Sequence, residues 1–227
     1  MNKRPCISYL FSDITANGKL KALAPITSED YNLLISDLFN NAIEQINKVK
    51  NISKIIISPN SQNPLFDASL SSQFQQIKYS CEENILHKLN ELITNENGRN
   101  LILSHNTIGY SSEDIKRVFD LLLDNEDALV IGKTKDGRIC FVGTNFWDAQ
   151  FYQDLAASKF QFDDLLKNIK RENVNYFVLN GYLKINNLND FKELYKLLSN
   201  RISENFCSEN IHEKFTNLFI EYKELLQ

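Results

Sequence analysis

Apolar residues follow two rhythms along this chain. Short unbroken runs read as buried strands: "CISYLF" (Cys6–Phe11), "SKIIISP" (Ser53–Pro59), "NLILS" (Asn100–Ser104), "ALVIG" (Ala128–Gly132) and "RICFVG" (Arg138–Gly143). Between them, apolar positions recur at helical spacing. Leu33, Leu34, Leu38, Ala42 and Ile46 form one stripe of a helix that opens at Thr27, with Asp30 in its first turn, and ends near Lys50. A second helical pattern runs from about Ser80 to Thr94 through Ile85, Leu86, Leu89 and Leu92. A third starts at Ser111 or Ser112 and turns Ile115, Val118, Phe119 and Leu122 inward. Residues Ser61–Ser72 read as a loop.

Further on the elements shorten. Helices are expected around Trp147–Ala157 and Phe162–Arg171, and brief strands at "YFVL" (Tyr176–Leu179) and "YLKI" (Tyr182–Ile185). Asn189 is expected to cap a helix reaching about Leu198. A last amphipathic helix, about Asn210–Leu226, carries Ile211, Phe215, Leu218, Phe219 and Tyr222. Its apolar stripe either packs on its own domain or forms a symmetric homodimer contact.

Strands alternating with helices predict an α/β fold: a three-layer arrangement with a mostly parallel sheet and helices on both faces. Asp136–Gly137 between two apolar runs predicts a hairpin with positive φ at both central residues, which makes the sheet mixed. Gly132 and Gly143 are expected to serve the strand ends. We expect residues 1–200 to form the domain and residues 201–227 to be a helical extension packed on it. In open sheets of this kind ligands bind beyond the C-terminal strand ends. Here that rim comprises Phe11–Lys21, Ser58–Asn63, Ser104–Tyr110 and the region after Leu179.

Composition narrows the partners. The chain has 227 residues, 43% hydrophobic and 24% charged, with a formal net charge of -4. That length supports a substantial core without staples, and the charge gives no reason to expect nucleic acid. No apolar run is long enough to span a bilayer. Cys6, Cys81, Cys140 and Cys207 are scattered without a metal-ligand spacing and read as reduced thiols of a cytoplasmic protein.

Four segments, in order, resemble the bacterial glycosyltransferase-A-like proteins of the DUF2064 type, within the nucleotide-diphospho-sugar transferase fold. They are "YLFSDITANGKLKALAP", "NLILSHNTIGYSSEDIKRVFDLL", "ALVIGKTKDGRICFVG" and "KINNLNDFKEL". The match runs from about Ile7 to Leu198. The resemblance implies a nucleotide or nucleotide-sugar site. Gly18, Lys19 and Lys21 would hold phosphates, with His105, Asn106 and Arg138 completing the nucleotide pocket. Asp136 would be the catalytic carboxylate near the donor.

The chain departs from the family where a metal would bind. Asn106 stands in place of an aspartate, and the late Asp-Ile-Asp is Lys184, Ile185 and Asn186. Mg²⁺ or Mn²⁺ wants anionic oxygen ligands, so metal dependence is expected to be weakened or absent, and no metal ligand is assigned. Lys19, Lys21 and Arg138 could instead neutralise a diphosphate directly. Each residue also has a plain structural reading. Lys19 and Lys21 suit a solvated loop, Asp136 a turn, Asn106 and Asn186 turns and caps, and Asp190 a helix start. His105 reads as a loop histidine or a ligand contact, and Phe146 and Trp147 as core or pocket wall. Two functions follow: a glycosyltransferase-like protein acting on or binding a nucleotide-activated sugar, or an inactive relative kept as a nucleotide-binding or protein-interaction module.

Overall fold

The computed structural model describes residues 5–11, 25–59, 72–80, 85–93, 98–169 and 173–226. Seven strands form the main sheet: β1 (Cys6–Phe11), β2 (Ser53–Pro59), β3 (Gln75–Tyr79), β4 (Arg99–Ser104), β6 (Ala128–Lys133), β7 (Ile139–Thr144) and β8 (Asn175–Asn180). Their order is β3-β2-β1-β4-β7-β6-β8. Only β7 runs against its neighbours, β4 and β6. The sheet is therefore mixed and mostly parallel, as the alternation of strands and helices implies. Two short strands, β5 (Thr107–Ile108) and β9 (Leu183–Lys184), pair antiparallel as a separate ribbon.

Helices cover both faces. On one lie α1 (Ser28–Asn47) and α3 (Ser112–Asp124), whose Phe39, Ile43, Ile46, Ile115 and Val118 share a core with Leu10, Leu101 and Val130 of the sheet. On the other lie α2 (Ile85–Leu92), α4 (Ala149–Ala157) and α5 (Phe162–Asn168), around Tyr9, Ile57, Ile102 and Leu129. Fully buried runs such as β4 and β7 are what two covered faces require.

Helix α1 is apolar on two sides because it is itself sandwiched. Its Leu34, Ile35 and Leu38 meet a further layer formed by α6 (Leu188–Leu198) and α7 (Glu209–Glu221). A 3₁₀ turn (Arg201–Asn205) joins these helices, and the short α8 (Lys223–Leu226) follows. Ile211, Phe215, Leu218 and Phe219, the apolar stripe of α7, are all buried in this third core. Buried Gln45 of α1 stitches the layers: its Nε2 donates to the Phe206 carbonyl at 3.0 Å and its Oε1 accepts from Ser112 N at 3.2 Å. At the other end of α1 the Tyr222 hydroxyl accepts from Thr27 N at 3.0 Å and donates to Asp30 at 2.5 Å.

Several local expectations need correction. The hairpin between β6 and β7 is not the type predicted: Gly137 has φ 84, but Asp136 is not in the left-handed region. Gly137 N bonds Thr134 O at 3.2 Å, and the ladder shifts register at Gly132/Lys133. This is a type I turn with a glycine bulge, which needs only one positive φ. Gly132 does not serve a strand end; a Cβ there would run into the Phe141 ring. The last-but-one major helix is capped by Asn187 in a capping box with Asp190, two residues before the expected Asn189. The final helix breaks at Tyr222. Strand β3 escapes the apolar pattern because it is an exposed edge, with Gln75, Gln76 and Lys78 outward.

Candidate functional site

Strand order changes direction at β1 and β4: the chain passes from β1 to β2 on one side and from β4 toward β6 and β7 on the other. That is where an open sheet leaves a crevice beyond its C-terminal ends. The β4 end supplies Ser104, His105 and Asn106. The β6–β7 hairpin supplies Thr134, Asp136 and Arg138, and the β9–α6 junction supplies Lys184, Asn186 and Asp190. Hydrogen bonds join the three segments, so Asn106, Asp136, Arg138 and Asn186 meet at one rim. Gly18, Lys19 and Lys21 lie outside the described residues.

Arg138 is the centre of the cluster. Its Nη1 and Nη2 donate to Asp190 Oδ2 and Oδ1, both at 2.7 Å, a two-pronged pairing of planar groups. Nη1 also reaches the Lys184 carbonyl at 3.0 Å, and Nε pairs with Asp136 at 2.9 Å. The Asp190 hydrogen bonds, despite partial desolvation, push the guanidinium pKa further up. Asp190 accepts in addition from Asn186 N at 2.8 Å and Asn187 N at 3.2 Å, capping α6. One buried carboxylate thus satisfies a guanidinium and a helix start together.

Asp136 is more open. Partial burial pushes its carboxyl up, but hydrogen bonds from Thr134 and Arg138, with the guanidinium charge, outweigh that and hold it below the usual carboxylate range. A carboxylate so held is a weak proton acceptor at neutral pH.

The two asparagines are also committed. Asn106 Oδ1 accepts from Ser104 Oγ at 2.6 Å, its Nδ2 donates to the Ile185 carbonyl at 3.1 Å, and the Asn106 and Asn186 amides meet at 2.8 Å. His105 is buried, its backbone N–H donating to Phe11 O at 3.1 Å. Lys184 Nζ donates to the Ile139 carbonyl at 3.2 Å and lies 5.4 Å from the centre of the Phe160 ring. Arg138 and Lys184 against Asp136 and Asp190 leave this cluster without net charge.

This donor set does not suit a hard divalent ion. Neutral amides already engaged, a carboxylate filled by a guanidinium and two neighbouring cations offer no anionic oxygen cage. Among the described residues no group of three His, Cys, Asp or Glu side chains is placed to hold a metal.

A cleft of about 260 Å³ opens beside the cluster, walled by Thr134, Asp136, Arg138, Tyr182, Asp190 and Glu193. Phe146 and Trp147 are not in it. Both are buried with Phe151 behind the sheet, Trp147 Nε1 donating to Asn90 at 3.0 Å. One rim residue has no signal in the apolar pattern. Phe160 has φ 59, after Lys159 at φ 50, and sits 6.0 Å from Phe11 at the end of β1. Its carbonyl accepts from Ile139 N at 2.8 Å, which ties this strained pair to the hairpin. By contrast, the Asn187-x-x-Asp190 capping box was readable from the sequence.

No protein-family model matches the chain, and no curated protein matches it. Solved structures do. A protein of Desulfovibrio desulfuricans G20 assigned as a nucleotide-diphospho-sugar transferase is 13% identical, with 98% of this chain and 96% of that chain covered and a TM-score of 0.71. A cytidylyltransferase of Leptospira borgpetersenii is 12% identical, covering 99% and 97%, with a TM-score of 0.51. Glucosyl-3-phosphoglycerate synthase of Mycobacterium tuberculosis, in complex with Mn²⁺, UDP and glucosyl-3-phosphoglycerate, is 10% identical, covering 87% and 80%, with a TM-score of 0.52. At these identities the likeness establishes the fold: that of nucleotide-diphospho-sugar transferases.

Proposed function

We propose that this chain is a glycosyltransferase-like protein of the DUF2064 type that acts on or binds a nucleotide-activated sugar with weakened or absent dependence on a divalent metal. The observation that carries this reading is the Arg138–Asp190 pair, set at the rim where three loops converge beside the switch point. A neighbour of the same fold binds UDP together with Mn²⁺. Here a guanidinium of fixed charge already pairs with the one deeply buried carboxylate of the cluster, and no step of the reaction is assigned to a metal.

Arg138 alone does not make the rim attractive to a diphosphate, because Asp136 and Asp190 balance it. Positive charge for phosphate is assigned here to the segment after β1. Lys19 and Lys21 are the proposed phosphate ligands, with Gly18 allowing close backbone approach. Asn106 and His105 would border the nucleotide, and Asp136 the donor sugar.

The second reading is a non-catalytic relative that binds a nucleotide or a protein. It is favoured by the low proton affinity of Asp136, which suits a turn anchor better than a base. Calorimetry with nucleoside diphosphates and their sugars, with and without Mn²⁺, tests both. Binding that is indifferent to Mn²⁺ and lost in Lys21→Ala is expected. Binding that requires Mn²⁺ would overturn the metal-independent reading, and turnover of a bound nucleotide sugar would remove the non-catalytic one.

A further inference from the structure

The two edges of the main sheet differ in chemistry. At one, β3 presents Gln75, Gln76 and Lys78, and a lysine is a common protection against unwanted strand pairing. At the other, β8 reads "NYFVLN", six residues without a charge. Its Tyr176 and Val178 are 41% and 38% exposed.

The backbone of that edge is open as well. Asn175 N bonds Asp127 O at 2.9 Å, so residues 175, 177 and 179 direct their peptide groups at β6. Tyr176, Val178 and Asn180 direct theirs outward. Among the described residues no hydrogen bond joins the outward N–H or C=O groups of Tyr176 or Val178. The apolar stripe of α7, the other candidate contact, is consumed inside the protomer.

We propose that β8 is the docking edge for a second copy of this chain, pairing antiparallel across a two-fold axis at Val178. The strand itself argues for a like partner. A two-fold axis sets an edge against its own copy, so any charge there would face a like charge; β8 has none. Only an even register joins outward-facing peptides to outward-facing peptides. Centring it on Val178 sets Val178 against Val178 and Tyr176 against Asn180, with about six new ladder hydrogen bonds. Both exposed apolar side chains then lie on one face and are covered together. The two sheets become one continuous sheet, with asparagine at each end of the paired segment. The contact is short, so the dimer is of the weak, concentration-dependent kind.

Sedimentation velocity on the full chain over a concentration series tests this, with Val178→Lys as the disrupting variant. The expected result is a monomer–dimer equilibrium in the wild type and monomer mass throughout in Val178→Lys. Val178→Cys provides a check that does not rely on a disruptive change. Opposed hydrogen-bonded residues sit about 5.5 Å apart at Cα, within disulfide range. Mild oxidation should therefore give a covalent dimer with Val178→Cys and not with Tyr176→Cys, whose copies would lie about 14 Å apart. A wild type that stays monomeric at every concentration would overturn the proposal. So would a dimer that survives Val178→Lys, or equal crosslinking of the two cysteine variants.

Discussion

Two carboxylates among the described residues, the buried Asp190 and the partly buried Asp37, each lie beside a cation, and they fare differently. Asp190 at the rim receives both prongs of Arg138 at 2.7 Å and two backbone N–H groups. Asp37 on α1 faces Lys214 of α7 at 3.7 Å, with a side chain only 14% exposed. Burial dominates there and pushes the Asp37 carboxyl up to about 6, against the weaker pull of Lys214. The number and aim of donors, more than the presence of a cation, decide whether burying a carboxylate stabilises the fold. The same fact bears on function, since Asp190 is too well satisfied to serve as a metal ligand.

The comparison breaks most forcefully at Arg138. Arg138→Met leaves Asp190 buried without its counter-ion and should lower stability by about 3–5 kcal/mol in chemical denaturation. A loss under about 1 kcal/mol would mean that the capping N–H groups alone suffice for Asp190.

Next comes the Asp37 side. Its folded-state pKa of about 6 lies above the ordinary 3.8, so the native state holds the proton more tightly than the unfolded chain. The associated stability is present in full below about pH 4 and is lost as pH rises through about 6, some 3 kcal/mol in all. Asp37→Asn should flatten that slope. Urea melts at acid and neutral pH should show the variant ahead of wild type at neutral pH, with the gain vanishing toward pH 4.

Asn106→Asp sharpens the comparison by adding a carboxylate where donors are missing. The Nδ2 that now donates to the Ile185 carbonyl would become an oxygen facing an oxygen. A cost of about 2 kcal/mol at neutral pH, reduced on acidification, is expected in the same melts. Binding of Mn²⁺ by this single variant, seen in calorimetry, would contradict the view that Arg138 and Lys184 oppose a cation here.

The smallest effect belongs to a half-buried carboxylate. Hydrogen bonds from Thr27 and Tyr222 hold the Asp30 carboxyl below its usual range. Tyr222→Phe removes one of them and the acceptor for Thr27 N. About 1 kcal/mol lower stability is expected, and the thermal midpoint should register it.

Much of the fold was legible. Unbroken apolar runs gave β1, β2, β4, β6 and β7 because both faces of the sheet are covered, and helical stripes gave α1, α3 and α7. β3 was not legible, since an exposed edge strand keeps polar residues on both sides. Of the β5–β9 ribbon only β9 was legible, within "YLKI"; β5 and its pairing of Thr107 with Lys184, far apart in sequence, were not. At the site, the resemblance set Lys21, Asn106, Asp136 and Asn186 around one cleft; the last three share a rim, and Lys21 lies outside the described residues. The resemblance did not foretell what those three would do on meeting. Arg138 reads in the sequence as one more basic residue after a turn, and its partner Asp190 lies 52 positions away.

The sequence by itself therefore determined the α/β class, the mixed sheet and the rim on which the matched loops lie, because burial periodicity and turn chemistry are local. Only the tertiary structure decided that Arg138 is held by Asp190, that Asn106 and Asn186 bond each other, and that β8 is left open at the sheet's edge. Those outcomes depend on which distant groups share a space, and on how many donors each buried acceptor finds there.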